Sequence, residues 1–337
     1  MKHVNSITLD HGAGGTTMRR LIQSVIAMRF GGVELARLND GAEIAVNGER
    51  LVFTTDSYVI QPLEFPGGDI GKLAVCGTVN DLAVMGAVPR WLSVGFILEE
   101  GLGVDLLERI CDSIARTALE AGVEIVTGDT KVVPRGACDQ IFINTSGVGT
   151  LPHGIGRSGN QIADGDAVIV SGTLGEHALA VLSARADVSL RSNIVSDCAP
   201  LGGMIGAVLQ ASGGVKWMRD PTRGGLAASL DELAESGPYS IMIQEHALPV
   251  TAASRAFCDL LGYDPVHLAN EGKVVIISAH DEAKQVLSVL RATEHGKNAA
   301  VIGNIQRSKE PAVLIQTTGG GVRCIHRPAG ELLPRIC

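Results

Sequence analysis

Four aspartates stand beside small polar residues, where a cluster of carboxylates could bind a divalent cation. They are Asp40, Asp56, Asp81 and Asp129. Carboxylates that gather with few basic neighbours repel one another unless a hard cation joins them, and Mg²⁺ commonly bridges protein carboxylates to nucleotide phosphates. Each aspartate taken alone is more often a helix cap or a turn residue. Asp81 fits that alternative least well, because it falls inside an otherwise apolar helical pattern.

Two glycine-containing loops precede predicted helices and could hold phosphate groups. The first, residues 10–17, contains Gly12, Gly14 and Gly15, and the second, residues 219–225, contains Asp220, Thr222 and Arg223. Backbone N–H groups at a helix start can bind phosphate oxygens, and glycine lets the backbone approach them closely. The first loop matches neither a Walker loop nor a dinucleotide-binding fingerprint. The second is as compatible with an ordinary capped helix that has Pro221 near its first turn.

The chain ends in a cysteine that no structural role explains. The seven cysteines are scattered without a C-x-x-C pair, which disfavours a disulfide framework or a zinc site. Residues 326–337 contain two prolines and a glycine, and this composition predicts an extended, mobile tail. An extended chain from Cys324 to Cys337 would span on the order of 40 Å. The Cys337 thiol could therefore move between an internal site and an external partner.

The hydrophobic pattern predicts alternating strands and helices, which is typical of an α/β protein with mixed sheets. In the first half, Asp69 is the expected N-cap of a helix that stops at Gly86, and a second helix over 104–121 closes at Gly122. Strands are expected over 50–55, 91–98, 123–127 and 140–148, with Asp56 at a strand end and Asp129 in a turn or at a strand end. In the second half we expect strands over 167–171 and 274–278, and helices over 176–186, 201–211, 224–236 and 281–292.

A chain of 337 residues is long enough for two domains. Residues 152–165 contain four glycines and little hydrophobicity, so we expect the linker there. The predicted organisation is an N-terminal domain over 1–155, a C-terminal domain over 156–325 and a flexible tail over 326–337.

The composition also excludes several classes of protein. Hydrophobic residues make up 45% of the chain and charged residues 19%, which argues against intrinsic disorder. A net charge of −8 disfavours nonspecific nucleic-acid binding. The apolar runs are far shorter than a bilayer span, and the first residues lack the apolar stretch of a signal peptide. We therefore expect a cytoplasmic protein that does not associate with membranes.

The order of these segments resembles the aminoimidazole-ribonucleotide-synthetase (PurM-like) superfamily of ATP-dependent enzymes. The segments that carry the resemblance are Asn39-Asp40-Gly41-Ala42, Thr54-Thr55-Asp56, Asn80-Asp81-Leu82-Ala83, Thr127-Gly128-Asp129-Thr130 and Asp220-Pro221-Thr222-Arg223. Within the superfamily, the glycine loop at 10–15 and the ending Pro334-Arg335-Ile336-Cys337 are similar to the HypE family of hydrogenase maturation proteins. The similarity runs nearly end to end, and the terminal cysteine is its most specific element.

The resemblance implies two PurM-like domains and a role in making the cyanide ligands of [NiFe]-hydrogenase. In that family HypF transfers a carbamoyl group to the terminal cysteine, and ATP-dependent dehydration of this S-carboxamide yields a protein thiocyanate. The cyano group then passes to iron held by the HypC–HypD complex. The implied cofactors are ATP and Mg²⁺, and the implied assembly is a homodimer formed by the N-terminal domains.

The resemblance also implies roles for individual residues. Cys337 would carry the substrate, and Lys131 and Glu271 would provide charge stabilisation and proton removal. The implied metal ligands are Asp40, Asp56, Asp81 and Asp129, and the implied nucleotide-binding residues are Gly12, Gly14, Gly15, Thr55, Asn80, Gly128, Asp220, Thr222 and Arg223. Without the resemblance, Lys131 would be interpreted as a solvated surface cation and Glu271 as a helix or turn cap.

Two other functions remain open from the residues themselves. An ATP-dependent kinase or synthetase acting on a free small molecule would not need the terminal cysteine, and an interaction protein could dock by its tail with Cys337 incidental. The assembly is also open, because residues 91–98 are apolar at nearly every position. Such a strand is covered on both faces, either by a partner sheet across a two-fold axis or wholly within one subunit.

Overall fold

The computed structural model of the protein describes residues 6–31, 33–152, 162–185, 192–330, 333 and 335–337. Two sheets dominate the described residues. The strands of the first come from residues 42–150, and those of the second come from residues 167–325. The predicted boundary between residues 155 and 156 falls within 153–161, outside the described residues, and it stays a prediction.

The first sheet has five strands in the order β1-β2-β7-β5-β6. These strands are β1 Ala42–Val46, β2 Glu49–Tyr58, β5 Val88–Glu99, β6 Glu124–Val133 and β7 Ile141–Thr150. Neighbouring strands are antiparallel except for β5 and β6, which are parallel. Two short strands, β3 Glu64–Phe65 and β4 Gly68–Asp69, pair with each other and lead into the first long helix.

Helices α4 (Ile70–Val84) and α5 (Val104–Ala121) pack on one face of this sheet. The Asp69 carboxylate caps α4 by accepting hydrogen bonds from the backbone N–H groups of Gly71 (2.7 Å) and Lys72 (2.9 Å). Helix α4 is buried along nearly its whole length. A helix that is apolar on all sides must be covered on all sides, and α4 also contacts the second half of the chain.

The second sheet has seven strands in the order β14-β13-β10-β12-β8-β11-β9. They are β8 Ala167–Val170, β9 Val215–Arg219, β10 Tyr239–Gln244, β11 Val275–Ser278, β12 Ala300–Arg307, β13 Val313–Gln316 and β14 Val322–Ile325. Only the β10–β13 pair is parallel among these described strands. The helices of this half are α6 Glu176–Ser183, α7 Gly202–Ala211, α8 Gly225–Glu235, α9 Ala252–Leu261 and α10 Ala283–Arg291.

The N-terminal segment is a chain of short, largely exposed helical turns. A 3₁₀ turn over Leu9–Gly12 is followed by α1 Thr16–Leu21, a π-helical turn Ile22–Ala27, α2 Met28–Phe30 and α3 Val33–Arg37. Together with the loop that precedes β1, these turns form one wall of the candidate site. Across the described ranges, no helix combines the length and the apolarity that crossing a membrane requires.

Most predicted elements are confirmed, and β6 is the main correction. Helix α5 has the predicted bounds, and Gly122 ends it at a φ of 69° in the left-handed region. Asp129, expected in a turn or at a strand end after residue 127, lies inside β6. Strand β6 runs on to Val133 because it pairs with β5 along its length. The sequence analysis missed strands β1, β9, β10, β12, β13 and β14, several of which are short and partly exposed.

The described part of the C-terminal tail is docked against the body of the protein. Arg327 is buried and pairs with Asp231 at 2.7 Å. Further along, the backbone N–H of Gln61 donates to the Arg335 carbonyl at 3.2 Å, and Ile336 is buried. The extended, mobile tail predicted from composition therefore has a docked position, and its movement stays a prediction.

Candidate functional site

A cavity of about 550 Å³ lies between the N-terminal segment, the first sheet and the second half of the chain. Its volume is in the range of small-molecule sites. Most of the predicted site residues meet here: Gly14, Gly15, Asp40, Thr55, Asp56, Asp81, Asp220, Thr222, Arg223, Glu271 and Cys337. They come from separate elements, so the fold and not local sequence brings them together.

Three carboxylates form a cluster that could hold a cation. Asp40 precedes β1, Asp81 lies on α4, and Asp220 follows β9. Each offers one oxygen, and these oxygens all lie within 4.8 Å of one another. Asp56 lines the same cavity. A set made only of carboxylate oxygens suits a hard divalent cation such as Mg²⁺, so the residues present fit the expected metal, with Asp220 in the cluster and Asp129 outside it.

The mutual repulsion of these carboxylates favours the protonated forms of Asp81 and Asp220. Burial raises the pKa of Asp81 well above its usual value, and the charges of Asp56, Asp220 and Asp40 raise it further. The Thr54 hydroxyl opposes this shift by donating to Asp81 at 2.8 Å. Burial and the charge of Asp40 raise the pKa of Asp220 to about 8. A bound cation would compete with protons for this cluster.

Arg219 fixes the position of Asp40. Its guanidinium forms an ion pair with the Asp40 carboxylate, and it also lies 3.5 Å from Glu232 on α8. Because Arg219 comes from the second sheet, this pair joins the two halves of the chain beside the carboxylate cluster. The sequence analysis missed Arg219, although it lies in the glycine-containing loop that was singled out.

The first glycine loop is held against the second one by Arg223. The guanidinium of Arg223 donates to the Gly12 carbonyl at 3.0 Å. Gly14 has a φ of 75°, and a side chain there would bring its Cβ within 2.6 Å of the Arg223 Cβ. Glycine is therefore required at position 14 both for backbone conformation and for close packing. Gly14 and Gly15 line the large cavity, whereas Gly12 lines a smaller neighbouring one of about 210 Å³.

Cys337 lies where the two cavities meet, since it lines both. The backbone N–H of Val59 donates to the Cys337 carbonyl at 3.4 Å. The negative charge of Cys337, followed by the charges of Asp56 and Glu271, raises the pKa of Arg223. The terminal residue thus faces the Arg223 guanidinium inside the site.

Glu271 is a buried acid in the same cavity. It is 3% exposed, and its Oε1 atom has no hydrogen-bond partner within the described part of the chain. Its backbone is fixed by the Asp197 carboxylate, which accepts hydrogen bonds of 3.2 Å from the N–H groups of Glu271 and Gly272. Burial, then the charges of Cys198, Asp220 and Asp197, raise the pKa of Glu271 well above its usual value, against the effect of Arg223. A buried acid of raised pKa in a cleft is a candidate general base.

Five predicted site residues do not line this cavity: Gly12, which lines the smaller one, and Asn80, Gly128, Asp129 and Lys131. Asp129 and Lys131 are exposed on edge strand β6, where their side chains pair with each other at 2.6 Å, and Gly128 lies beside them. Asn80 is buried behind the cavity, and its side-chain amide donates to the carbonyls of Ala199 (3.1 Å) and Glu271 (3.2 Å). Asn80 therefore positions Glu271, and both of its amide atoms are engaged because Oδ1 accepts from the Leu201 N–H at 2.8 Å.

Tyr58 is a further cavity residue that sequence reasoning missed. It ends β2, is buried, and its hydroxyl lies 3.4 Å from both Asp56 Oδ2 and Thr78 Oγ1. A tyrosine at a strand end has no local signal that separates it from an ordinary core residue. Only its position two residues after Asp56 on the same strand could have suggested it, since side chains at i and i+2 share a face.

Comparison with known proteins identifies the family of the chain. Residues 38–151 match the model of the AIR synthase related protein N-terminal domain, and residues 163–316 match that of the C-terminal domain. The chain is 50% identical over 334 residues to the carbamoyl dehydratase HypE of Rhodobacter capsulatus, which covers 98% of each chain.

Two solved structures are also similar. A chain in the crystal structure of a HypE–HypF complex superposes with a TM-score of 0.86 at 45% identity, covering 91% of this chain and 99% of that chain. The structure of HypE in complex with ATP gives a TM-score of 0.81 at 44% identity, covering 98% and 100%. The resemblance and the fold class expected from the sequence are thereby confirmed. The chain belongs to the AIR synthase related family and, within it, to the HypE carbamoyl dehydratases.

Proposed function

We propose that this carbamoyl dehydratase acts on its own C-terminal residue, converting an S-carbamoylated Cys337 to a thiocyanate at the expense of ATP. The observation that carries the proposal is the position of Cys337 in the same cavity as the carboxylate cluster, Arg223 and Glu271. The relatives named carbamoyl dehydratase and the related HypE bound to ATP support it. A kinase acting on a free small molecule, or a protein that only docks by its tail, would not explain a terminal thiol at this position.

The proposed reaction removes the elements of water from a primary amide. The carbonyl oxygen of the S-carboxamide attacks the γ-phosphorus of ATP, and ADP leaves. The C–O bond then breaks as inorganic phosphate departs, while the amide nitrogen loses its protons and the C≡N bond forms. Phosphorylation is needed because an amide oxygen is a poor leaving group and a phosphate is a good one.

Asp40, Asp81 and Asp220 would hold Mg²⁺, which supplies neutralisation of the charge on the transferring phosphoryl group. Thr55, Asp56 and Thr222 line the same cavity and offer further oxygen or hydroxyl contacts. The backbone of Gly14 and Gly15 can approach phosphate oxygens because no side chain intervenes. Arg223 adds a fixed positive charge that faces Cys337, where it would stabilise the negative charge of the transferred and departing phosphate.

Glu271 is the proposed base for the amide protons. A general base works best when its pKa lies near the operating pH, and burial moves that of Glu271 in this direction. The unpartnered Oε1 atom leaves one acceptor available for a substrate N–H. Asn80 and Asp197 hold the backbone of Glu271 from opposite sides of the residue, through its carbonyl and its N–H.

The proposed assembly is a homodimer that covers the outer face of the first sheet. Phe53, Trp91 and Ile97 are exposed large apolar side chains in its central strands. Edge strand β6 is exposed at nearly every position, including Ile125, Val126 and Val132. An apolar sheet face left open by its own helices suits an isologous interface. Asp129 and Lys131 lie on β6, so this dimer is the arrangement in which they would approach a nucleotide site, that of the partner subunit.

The proposed partners follow from the need to load Cys337 with a carbamoyl group and to deliver the cyano group afterwards. A HypF-type carbamoyltransferase would load Cys337, in line with the related HypE–HypF complex, and a HypC–HypD complex would receive the cyano group. Both steps need Cys337 outside the cavity, so the tail over 326–337 must leave its docked position and return. The two-domain division at residue 155 is part of this proposal, since the cavity would form where the domains meet.

Intact-mass measurement after incubation with HypF, carbamoyl phosphate and ATP tests the proposal. We expect the wild-type chain to gain a carbamoyl group, which is then converted to a cyano group. Cys337→Ala should gain neither. Cys324→Ser is the matched control, because it removes an exposed cysteine from the strand that precedes the tail. Modification of Cys337→Ala to the wild-type extent would refute Cys337 as the carrier.

A further inference from the structure

His177 makes a buried contact with the C-terminal tail. It lies on α6 and is fully buried, with its ring edge-on to Phe65 at a centroid distance of 5.4 Å. Its Nε2 atom is 2.8 Å from the backbone carbonyl oxygen of Ile336. Its Nδ1 atom is 2.8 Å from the hydroxyl of Ser196. Both ring nitrogens are therefore engaged, and one of them reaches the residue next to Cys337.

The partners of His177 determine which nitrogen carries the proton. The Ile336 carbonyl can only accept, so Nε2 must donate to it. Ser196 Oγ already accepts from the Cys198 N–H at 3.1 Å, which leaves its hydroxyl proton free to be donated to Nδ1. The ring is then neutral with its proton on Nε2. Burial lowers the pKa of His177 and favours this neutral form.

The last three carbonyl groups of the chain are each bound by a different donor. Arg335 O accepts from the Gln61 N–H at 3.2 Å and from Arg185 at 3.2 Å, and Cys337 O accepts from the Val59 N–H at 3.4 Å. The carbonyls of Arg335 and Cys337 thus point toward residues 59–61, whereas the Ile336 carbonyl between them binds His177. Arg335 has a φ of 53°, so the backbone turns here and is not a regular strand. A shift of the tail by one residue would place a different carbonyl opposite each of these donors.

His177 also connects the tail to the segment that holds Glu271. Ser196 accepts from Cys198 and contacts His177, and the carboxylate of the intervening Asp197 accepts from the backbone of Glu271. The same short segment thus touches the tail through His177 and the proposed base through Asp197. A tail that docks in the correct register brings Cys337 and Glu271 to one cavity.

We propose that His177 is a positioning residue that docks the tail by donating from Nε2 to the Ile336 carbonyl and so sets Cys337 in the cavity. Docking itself does not depend on the chemistry. Only the use of the docked thiol rests on the proposed function. Docking of the tail and formation of the thiocyanate are therefore tested by separate measurements.

The test is the rate at which a maleimide alkylates Cys337 in the full-length protein without ATP or HypF, followed by peptide mass spectrometry. His177→Asn keeps an amide near the position of Nδ1 but cannot reach Ile336, whereas His177→Gln can place an N–H near the position of Nε2. We expect Cys337 to react about three- to tenfold faster in His177→Asn, as loss of one hydrogen bond predicts. His177→Gln should restore the rate to within about twofold of wild type.

Several controls use the chain's other residues. Exposed Cys111 and Cys324 provide a reference for intrinsic reactivity, and buried Cys258 reports loss of the fold. His267→Asn is the matched variant, because His267 lies 3.2 Å from the His326 carbonyl at the start of the tail. It should leave the Cys337 rate unchanged.

Ser196→Ala provides a second route if His177→Asn exposes Cys258. It removes the hydroxyl that fixes the proton of His177 on Nε2 and should speed alkylation of Cys337 about twofold or more. Three outcomes would each overturn the assignment. The folded variants could alkylate Cys337 at the wild-type rate, His177→Asn and His177→Gln could accelerate alkylation equally, or His267→Asn could accelerate it as much as His177→Asn does. Failure of the wild-type chain to form a thiocyanate would contradict the proposed function and leave the alkylation result unaffected.

Discussion

The side-chain amide of Asn80 donates a 3.2 Å hydrogen bond to the backbone carbonyl of Glu271, which lies 191 residues further along the chain. One residue of helix α4 thus holds the proposed base in place. The same amide group binds the Ala199 carbonyl and the Leu201 N–H. Asn80 joins the two halves of the protein directly behind the cavity, at a position where the sequence suggested nucleotide binding.

Asn80→Ala should destabilise the protein by about 2–4 kcal/mol, because it removes the side-chain partners of the Ala199 carbonyl and the Leu201 N–H and leaves the Glu271 carbonyl with only a 3.5 Å bond from the Ala199 N–H. Urea unfolding followed by circular dichroism measures the change. Asn304→Ala is the control, since the Asn304 side chain only contacts the carbonyl of its neighbour Ile305. Similar stability of the two variants would contradict the role assigned to Asn80.

Asp81→Asn should raise the thermal stability of the ligand-free protein and lower its affinity for Mg·ATP. Replacing a carboxylate that is repelled by Asp40, Asp56 and Asp220 removes an unfavourable charge, so the Tm without Mg²⁺ should rise by about 2–4 °C. Affinity for Mg·ATP should fall by about tenfold or more, because one oxygen ligand loses its charge. Thermal shift and calorimetric titration measure both, with Asp112→Asn on the surface of α5 as the control. Unchanged affinity would remove Asp81 from the metal site.

The stability of the ligand-free protein should depend on pH through Asp220. Its pKa in the folded state is about 8 against 3.8 for the free side chain, so the folded state binds more protons between these values. The contribution of Asp220 to stability is therefore present below about pH 4 and is lost as the pH rises through about 8. Asp220→Asn should be close to wild type near pH 4 and increasingly more stable than wild type as the pH rises to 8, as measured by urea unfolding. A difference independent of pH would contradict the raised pKa.

Glu271→Gln should separate loading of the tail from dehydration. Glutamine keeps the size of the side chain and the backbone contacts to Asn80 and Asp197 but cannot accept the amide proton. The carbamoylated chain should accumulate, with formation of the thiocyanate slowed by about 10²-fold or more. Time-resolved intact mass gives both species. A variant that forms thiocyanate at the wild-type rate would exclude Glu271 as the base.

The proposed dimer predicts a variant that dissociates. Ile97→Glu places a charge on the exposed sheet face, whereas Leu119→Glu places one on α5, where Leu119 is 84% exposed. Sedimentation at micromolar concentration should give a dimer for wild type and Leu119→Glu and a monomer for Ile97→Glu. A wild-type monomer would refute the assembly.

Local features of the fold could be predicted because their causes are local. The Asp69 cap, the Gly122 end of α5 and the acid within apolar α4 all follow from a few adjacent residues. The strand order of the sheets does not follow from adjacent residues. Strand order determines which acidic side chains lie close together. Asp220 joins Asp40 and Asp81 through the long crossover to β9, and β6 carries Asp129 to the far edge of the first sheet.

The docked position of the tail could not be predicted from the residues of the tail alone. Prolines and glycine near the end of the chain indicate an irregular backbone, but they do not show what receives it. The receiving groups are main-chain N–H groups at Val59 and Gln61 and the side chain of His177, all distant in sequence. Composition can predict that a segment lacks regular structure and cannot identify where that segment binds.

The position of Cys337 inside the cavity has a kinetic consequence. A substrate that is covalently part of its enzyme has an effective local concentration set by the length of the chain that carries it, not by the amount of protein in the cell. Dehydration should follow first-order kinetics at every dilution that leaves the proposed dimer intact and have no Michaelis constant for its carbon substrate. Loading by a carbamoyltransferase and delivery to an iron acceptor are encounters between separate molecules, so protein abundance would govern those two steps alone.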